Sequence, residues 1–539
     1  MKRDPTPRNL YLAAALTDIP RLLGAVDRNP YHATYGCLDR QYWHYRTAAF
    51  PSEMFQEGML ALALAYATPL PGNRWHGQPR VAQLAEAALR FSVASAHADG
   101  SCDDYYPFER AFGAAVFSLH AAARTYEILG LHDPQLLAGL ERRAAWILAH
   151  GESGRLANHH ALAALGLWHV HCLTADPRYA AAARDRIDQL LGWQSPEGWF
   201  EEYGGADPGY QTVTVDCLAK YRRLCNERRL DEPLARAVRF CRQLLFPDQS
   251  YGGPCGSRGT YHFYPHGFEL LAGTSPDAAD LADAFLACLA SGRQACFADD
   301  RLFAHRTANL LEAYCDWSPE RPPPTAEVSG EHWFPQARLL VAHSSTRHTV
   351  ISAARGGVFK HFVGDRLAAC DAGLIVETSD GRVAVTQMHD LDRTVEYTDT
   401  GVVRLRVAGP LHWARFETAM PLKQAVFHLG MITVGRWFRT LIRRLLQRRL
   451  ITGRKPCPIR CDRQFELLQG SVLRVTDTIE LTRPTVRVRR MSFGTDHEAA
   501  YVAASGVYQD AVLLPWTDLA SQVDTLNAMR RVTVVREFS

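Results

Sequence analysis

Residues 151–173 read GESGRLANHHALAALGLWHVHCL, a polar, glycine-containing loop running straight into a segment of Ala, Leu and Gly. Apolar positions recur there at i, i+3, i+4 spacing, as on a buried helix. Working outward, the same arrangement returns. The loops PSEMFQEGM near 51, ADGSCDDYYPFERAF near 100, SPEGWFEEYGGADPGY near 198, PDQSYGGPCGSRGTYHFYPHGFELLA near 250 and FADDRLFAHRTANLLEAY near 300 each lead into another such helix. The interval is roughly 45–55 residues, about two helices and two turns, the mark of a helical-hairpin repeat whose units bury their faces on one another. About six hairpins over residues 1–317 can close into an (α/α) toroid, with an open solenoid as the alternative. Small residues let the inner helices crowd around an axis. The loops, rich in Asp, Glu, Tyr, His and Asn, then ring one mouth and form a substrate cleft.

Beyond this point the chemistry of the chain changes. Residues 318–325, SPERPPPT, form a proline-rich linker, a stiff spacer. After it HTVISAA, GGVFKHFVG, GLIVETSDGRVAVTQ, GVVRLRVAG, SVLRVTDTIEL and TVRVRRMSF alternate apolar and polar residues. Asp380-Gly381 is a hairpin signal. The expectation for 326–539 is an antiparallel β domain, a sandwich. One stretch at 431–455, MITVGRWFRTLIRRLLQRRLITGRK, breaks the pattern with eight basic and no acidic residues from Arg436 to Lys455. Read as one amphipathic helix, it carries Trp437, Phe438, Leu441, Ile442, Leu445 and Leu446 on one face and Arg436, Arg439 and Arg443 on the other. That fits an anionic membrane surface or acidic polymer, or equally a helix packed on the β domain with a solvated basic rim.

The totals narrow the function classes. With 60 Lys+Arg against 57 Asp+Glu, the net charge of +3 argues against a general nucleic-acid coat. The first residues do not read as a secretory signal, and no stretch is apolar enough to span a membrane. Thirteen cysteines without CxxC pairs read as free thiols, so the cytoplasm is the expected compartment. There is no GxSxG, no Walker loop and no GxGxxG after a strand, and no cofactor is expected. His262 and His266 have the spacing of a zinc pair, but Pro265 lies between them and no third ligand is evident, so no metal is expected.

The mouth loops hold the candidate chemistry. Asn158-His159-His160 opens an inner helix, where Asn158 can be a cap or can meet an anion. The loop near 198 offers Glu202, Tyr203, Asp207, Tyr210 and Gln211. The loop near 100 offers Tyr105, Tyr106, Glu109 and Arg110. The loop near 250 offers Arg258, His262, Tyr264 and His266, and an earlier stretch, YGCLDRQYWHYR, adds Arg40 and His44. Aromatic rings here can stack on sugars or merely plug the ring. Arginines can fork onto sugar carboxylates.

The run GRLANHHALAALGL resembles the Asn-His motif of heparinase II/III-like and alginate lyases. EGWFEEYGGADPGYQ resembles the segment bearing their catalytic tyrosine. Closer still, YGCLDRQYWHYR, DYYPFER, EYGGADPGY and FYPHGFE are similar to a bacterial heparinase II/III-like subgroup found with exopolysaccharide-assembly functions. The resemblance implies β-elimination at a uronic acid. Asn158 would hold the carboxylate, His159 or Tyr210 would take the C5 proton, and Tyr210 would protonate the departing oxygen. Gln211 stands where such lyases commonly place His. Their β-domain histidine segment has no clear counterpart, with His348, His361 and His389 as isolated candidates. The other readings are hydrolysis by two mouth carboxylates, Glu109 with Asp207 or Glu202, and a membrane-peripheral glycan-binding or assembly factor without turnover.

Overall fold

The computed structural model describes residues 7–152, 154–294, 296–297, 302–324, 329–414, 420–496 and 507–539. Six inner helices, Gly58–Ala67, Phe112–Ile128, Ala157–Thr174, Pro208–Cys225, His266–Ala272 and Phe303–Asp316, pack each on the next, and the last packs on the first. The ring closes, so the solenoid alternative falls. Outside it lie Asn9–Ala25, Pro79–Ser95, Pro134–Ala149, Pro177–Leu191, Asp231–Arg242 and Pro276–Ser291. The two layers differ as burial demands. Every residue from Gly58 to Ala65 is buried, whereas Pro177–Leu191 buries only Tyr179, Ala180, Ala183, Ile187 and Leu190. Several outer helices start on a proline behind a capping side chain, as at Asp133, Asp176 and Ser275. Arg321, in the linker, pairs with buried Glu269 at 2.6 Å, and Tyr11 donates to the same carboxylate at 2.7 Å. The connection is therefore fastened to the toroid at that point; residues 325–328 lie outside the described residues.

The later region is a two-sheet sandwich. Five antiparallel strands run in chain order, Gly330–Phe334, Leu339–Ser344, Arg347–Ser352, Val358–Val363 and Arg366–Asp371. A nine-stranded antiparallel sheet follows, and Asp380-Gly381 turns Gly373–Thr378 back onto Val383–Val385 as expected. Leu340, Ile351 and Phe359 of the small sheet share a core with Leu405, Phe465 and Val475 of the large one. The other face of the small sheet, with Leu339, Val341, Val350 and Phe362, joins the toroid core, and Phe362 stacks on Phe246 at 5.3 Å. This sheet is buried on both sides, which welds the two regions together.

The basic stretch is not one helix. It belongs to an insertion between Val403–Trp413 and Pro456–Leu467, strands that pair directly, with Trp413 N–H donating to the Lys455 carbonyl at 2.9 Å. Helix Pro421–Thr433 turns through Gly435–Trp437 into helix Arg439–Leu446. The faces also differ from the simple amphipathic reading. Arg439, Ile442, Arg443 and Leu446 are half-buried against the protein, while Trp437, Phe438, Leu441 and Leu445 are 55–68% exposed. A buried carboxylate on the toroid, Glu152, draws Arg443 inward at 2.7 Å, and ion pairing rather than apolar burial orients the helix.

Candidate active site

The site begins where the quoted loop enters helix Ala157–Thr174. Leu156 is the N-cap residue, so Asn158 lies inside the first turn and is not the cap. Leu156 forms a β-bridge with Glu202, which draws the loop before helix Pro208–Cys225 against this helix start. Asn158 is 1% exposed; its side-chain amide lies beside the Glu202 carboxyl, but neither Oδ1 nor Nδ2 makes a well-formed hydrogen bond. Its backbone N–H reaches Glu202 Oε2 at 3.5 Å, and Glu202 Oε1 is buried without a partner. Burial, reinforced by the nearby Asp207 carboxylate and only partly offset by the Asn158 amide, raises Glu202 to about 8, so it is protonated at neutral pH. An unsatisfied buried polar group costs about 1–3 kcal/mol. Two side by side mark a place that a polar ligand can complete.

His159 points to the neighbouring helix. Its Nδ1 lies 2.7 Å from Glu152 Oε2, and its ring sits over Gly113, where a Cβ would meet Cε1 at 2.7 Å. Only glycine leaves room for the imidazole there. Glu152, fully buried, thus joins His159 to Arg443 of the inserted hairpin.

Asp207 caps helix Pro208–Cys225, accepting from Tyr210 N–H at 3.3 Å, from Arg258 N–H at 2.8 Å and from the Thr260 hydroxyl. It ties the loop near 198 to the loop near 250. Tyr210 stands edge-on to His262 at 5.6 Å. Burial raises the Tyr210 phenol well above its ordinary value and lowers His262 to about 4, so both are neutral. The Arg258 guanidinium lies over the Tyr203 ring at 4.6 Å. From the sandwich, Arg355 donates to the Ser257 carbonyl at 3.3 Å. Burial and the proximity of Arg258 lower Arg355 to about 10. His389 packs on Gly205, where a Cβ would come within 2.7 Å of its Nε2, and burial with Arg355 nearby lowers it to about 3.

Asn158, Glu202, Tyr203, Asp207, Tyr210, Arg258 and His262 are therefore gathered in one place, and other candidates have other partners. The Gln211 amide accepts from Phe200 N–H at 2.9 Å and bonds the Gly198 carbonyl, holding the loop rather than facing a ligand. His266 pairs with Asp316 at 2.7 Å, and Tyr264 is buried edge-on to His305 at 5.0 Å. Arg110 is paired with Asp99. Glu109, raised to about 7 by burial and Asp104, accepts from Tyr105 N–H at 2.7 Å. Tyr105 is 47% exposed, while Tyr106 is covered by Phe427 of the hairpin at 5.3 Å. Arg40 bonds the Tyr45 hydroxyl at 2.9 Å and His44 is exposed between Trp43 and Tyr45. His361 bonds Thr349 and His348 lies against Phe246, both within the small sheet's packing. Glu152 and Arg355 carried no local signal, each a single charged residue in an ordinary loop, and nothing within the basic run marked Arg443 as the residue that turns inward.

Among the described residues no group of three or more His, Cys, Asp or Glu side chains could share a metal ion, and no helix is long and apolar enough to cross a membrane. No protein-family profile matches the chain, and no curated protein matches its sequence. Solved structures do match. A Streptomyces coelicolor chondroitin AC lyase, determined with chondroitin sulphate, superposes with a TM-score of 0.57 at 13% identity, over 92% of this chain and 69% of its own. A Paenibacillus xanthan lyase gives 0.55 at 12% identity, over 91% of this chain. This chain spans 47% of the xanthan lyase. At such identities the likeness is one of fold: the chain has the toroid-plus-sandwich architecture of these polysaccharide lyases.

Proposed function

We propose that the chain is a heparinase II/III-like polysaccharide lyase that cleaves an acidic, uronate-containing polysaccharide by β-elimination. The observation that carries this reading is the Asn158 side chain, buried at an inner-helix start beside a protonated Glu202, with no well-formed hydrogen bond to either amide atom. An amide N–H and a carboxylic O–H can both donate to a sugar carboxylate, whereas an ionised Glu202 would repel it. With that carboxylate held, the C5 proton becomes more acidic and the charge developing as it leaves is stabilised. The base that takes the C5 proton is His159 or Tyr210; His159, its Nδ1 turned to Glu152 and its other edge packed on Gly113, would have to swing toward Asn158 to act. The C5 electron pair forms the C4–C5 double bond, the C4–O4 bond breaks, and O4 takes the proton of Tyr210, which burial keeps on the phenol. Arg258 and Arg355 bring positive charge to the same place and suit further acidic groups on the chain. Hydrolysis by mouth carboxylates fits less well, because the Asp207 oxygens are occupied by the helix start, Arg258 N–H and Thr260.

By the same reading the protein works inside the cell, peripheral to the cytoplasmic membrane, in exopolysaccharide or capsule biosynthesis. The test is incubation with a panel of uronate polymers while following the ultraviolet absorbance of the new double bond. New reducing ends without that absorbance would establish hydrolysis. Binding without either signal would establish a glycan-binding assembly factor instead.

A further inference from the structure

The inserted hairpin has two unlike faces. The inner one is fastened to the toroid mouth, by Arg443 on Glu152 at 2.7 Å, by Phe427 edge-on to Tyr106 at 5.3 Å and by His428 against Phe50 at 6.3 Å. The outer one is apolar and bare. Ten of the twenty large apolar side chains exposed among the described residues lie between Met420 and Leu445. Leu422, Val426 and Leu429 follow helical spacing on the first helix, at 63–76% exposure, and Trp437 at the end of the turn continues it with Leu441 and Leu445 of the second, at 56–68%. A patch of this kind on a folded surface marks an interaction site.

Charge identifies the occupant. Nine Lys and Arg and no Asp or Glu lie between 420 and 455. Arg436, Arg444, Arg448 and Arg449 are exposed among the outer apolar groups. A hydrophilic glycan would leave those apolar groups wet. A second copy placed symmetrically would set one basic face against another. An interfacial bilayer region satisfies both features, taking the apolar side chains below its headgroups and the arginines among its phosphates.

We propose that the 420–455 hairpin seats the protein on an anionic bilayer and thereby sets the toroid mouth beside the membrane surface. Resting on the lyase reading above, this defines the substrate as an acidic glycan held at that surface. The closing experiment is co-sedimentation of the full chain with vesicles of phosphatidylglycerol and phosphatidylcholine in equal parts, and of phosphatidylcholine alone. The chain should bind the mixed vesicles, weakly the neutral ones, and less as salt rises. Trp437→Ser/Leu441→Ser/Leu445→Ser and, separately, Arg436→Gln/Arg444→Gln/Arg448→Gln should each weaken binding more than about tenfold, with unchanged thermal unfolding because all six positions are exposed. Equal binding to both vesicles, or binding indifferent to both variants, would overturn the proposal. Self-association abolished by the serine variant, with no vesicle binding, would assign the face to a second copy. Vesicle binding without turnover on any polymer would sink the lyase reading alone, and turnover without vesicle binding would sink only this one.

Discussion

Two polar clusters are buried along the inner helices of the toroid, and they are built in opposite ways. In one, Lys220 Nζ lies 2.8 Å from both Asp216 and Glu312, and Asp316 takes His266 at 2.7 Å and Arg223 at 2.6 Å. Charges of both signs face each other and the cluster is closed on itself. In the other, the Asn158 amide makes no well-formed hydrogen bond, and the neighbouring Glu202, with no cation paired to it, keeps a proton. The two share helix Pro208–Cys225, and Asp216, Lys220 and His266 of the first are buried as Asn158 and Glu202 of the second are. Burial of polar groups alone therefore does not distinguish a site from a structural network; incomplete pairing does.

Four measurements would sharpen or break this contrast. The largest effect belongs to the closed cluster: Lys220→Met should cost about 3–5 kcal/mol in denaturant unfolding, because two buried carboxylates lose their cation. Unchanged stability would mean the network is not holding the ring. At the open cluster the loss should fall on rate. Tyr210→Phe should reduce kcat by about 10²–10⁴ through loss of the proton donor, and Asn158→Ala by about 10²–10³, both with thermal midpoints near the parent's. A large fall in midpoint for Asn158→Ala would show its amide to be structurally paired.

The smallest effect is a pH profile, and the carboxylates of the two clusters should titrate on opposite sides. Despite burial, Lys220 and His266 hold Glu312 well below its ordinary value, and Asp316 is lowered to about 2 despite burial, by His266 and Arg223. Their contribution is present above the ordinary carboxyl range and is lost as pH falls through the lowered values. Glu202 is raised to about 8, so its contribution is present at low pH and is lost as pH rises from its ordinary value of 4.5 through 8. Glu202→Gln, which imitates the protonated acid, should shrink the alkaline loss of stability, leaving the share of Glu109 and the other raised groups, and keep the acid limb in place. An unchanged alkaline limb would show that Glu202 is ionised in the folded chain.

The ring was legible because its cause is repetitive. Each loop quoted from the sequence leads into an inner helix, and closing six of them brings Asn158, Glu202, Tyr210 and Arg258 to one mouth. The period sets these loops at one end, and ring closure with the Leu156–Glu202 bridge and the Asp207 contacts draws them together. The finer assignments did not follow. Gln211 and His266 carry side chains as suitable for sugars as any neighbour, yet one is held by loop backbone and the other by Asp316. Arg443 shows the limit most clearly: hydropathy assigns it to a solvated rim, and Glu152, remote in sequence, turns it inward.

What the sequence determined by itself was the order of the two regions, the succession of helical hairpins and the end of them at which polar residues collect; that the hairpins close into a ring was decided by the last inner helix packing on the first. Spacing along a chain is enough for the first three, since a buried stripe must find its neighbour wherever it recurs. The tertiary structure decided which of those polar groups are paired, which keep a proton and which face of the basic hairpin is bare. Pairing depends on distances between residues far apart in the chain, and no local pattern encodes them.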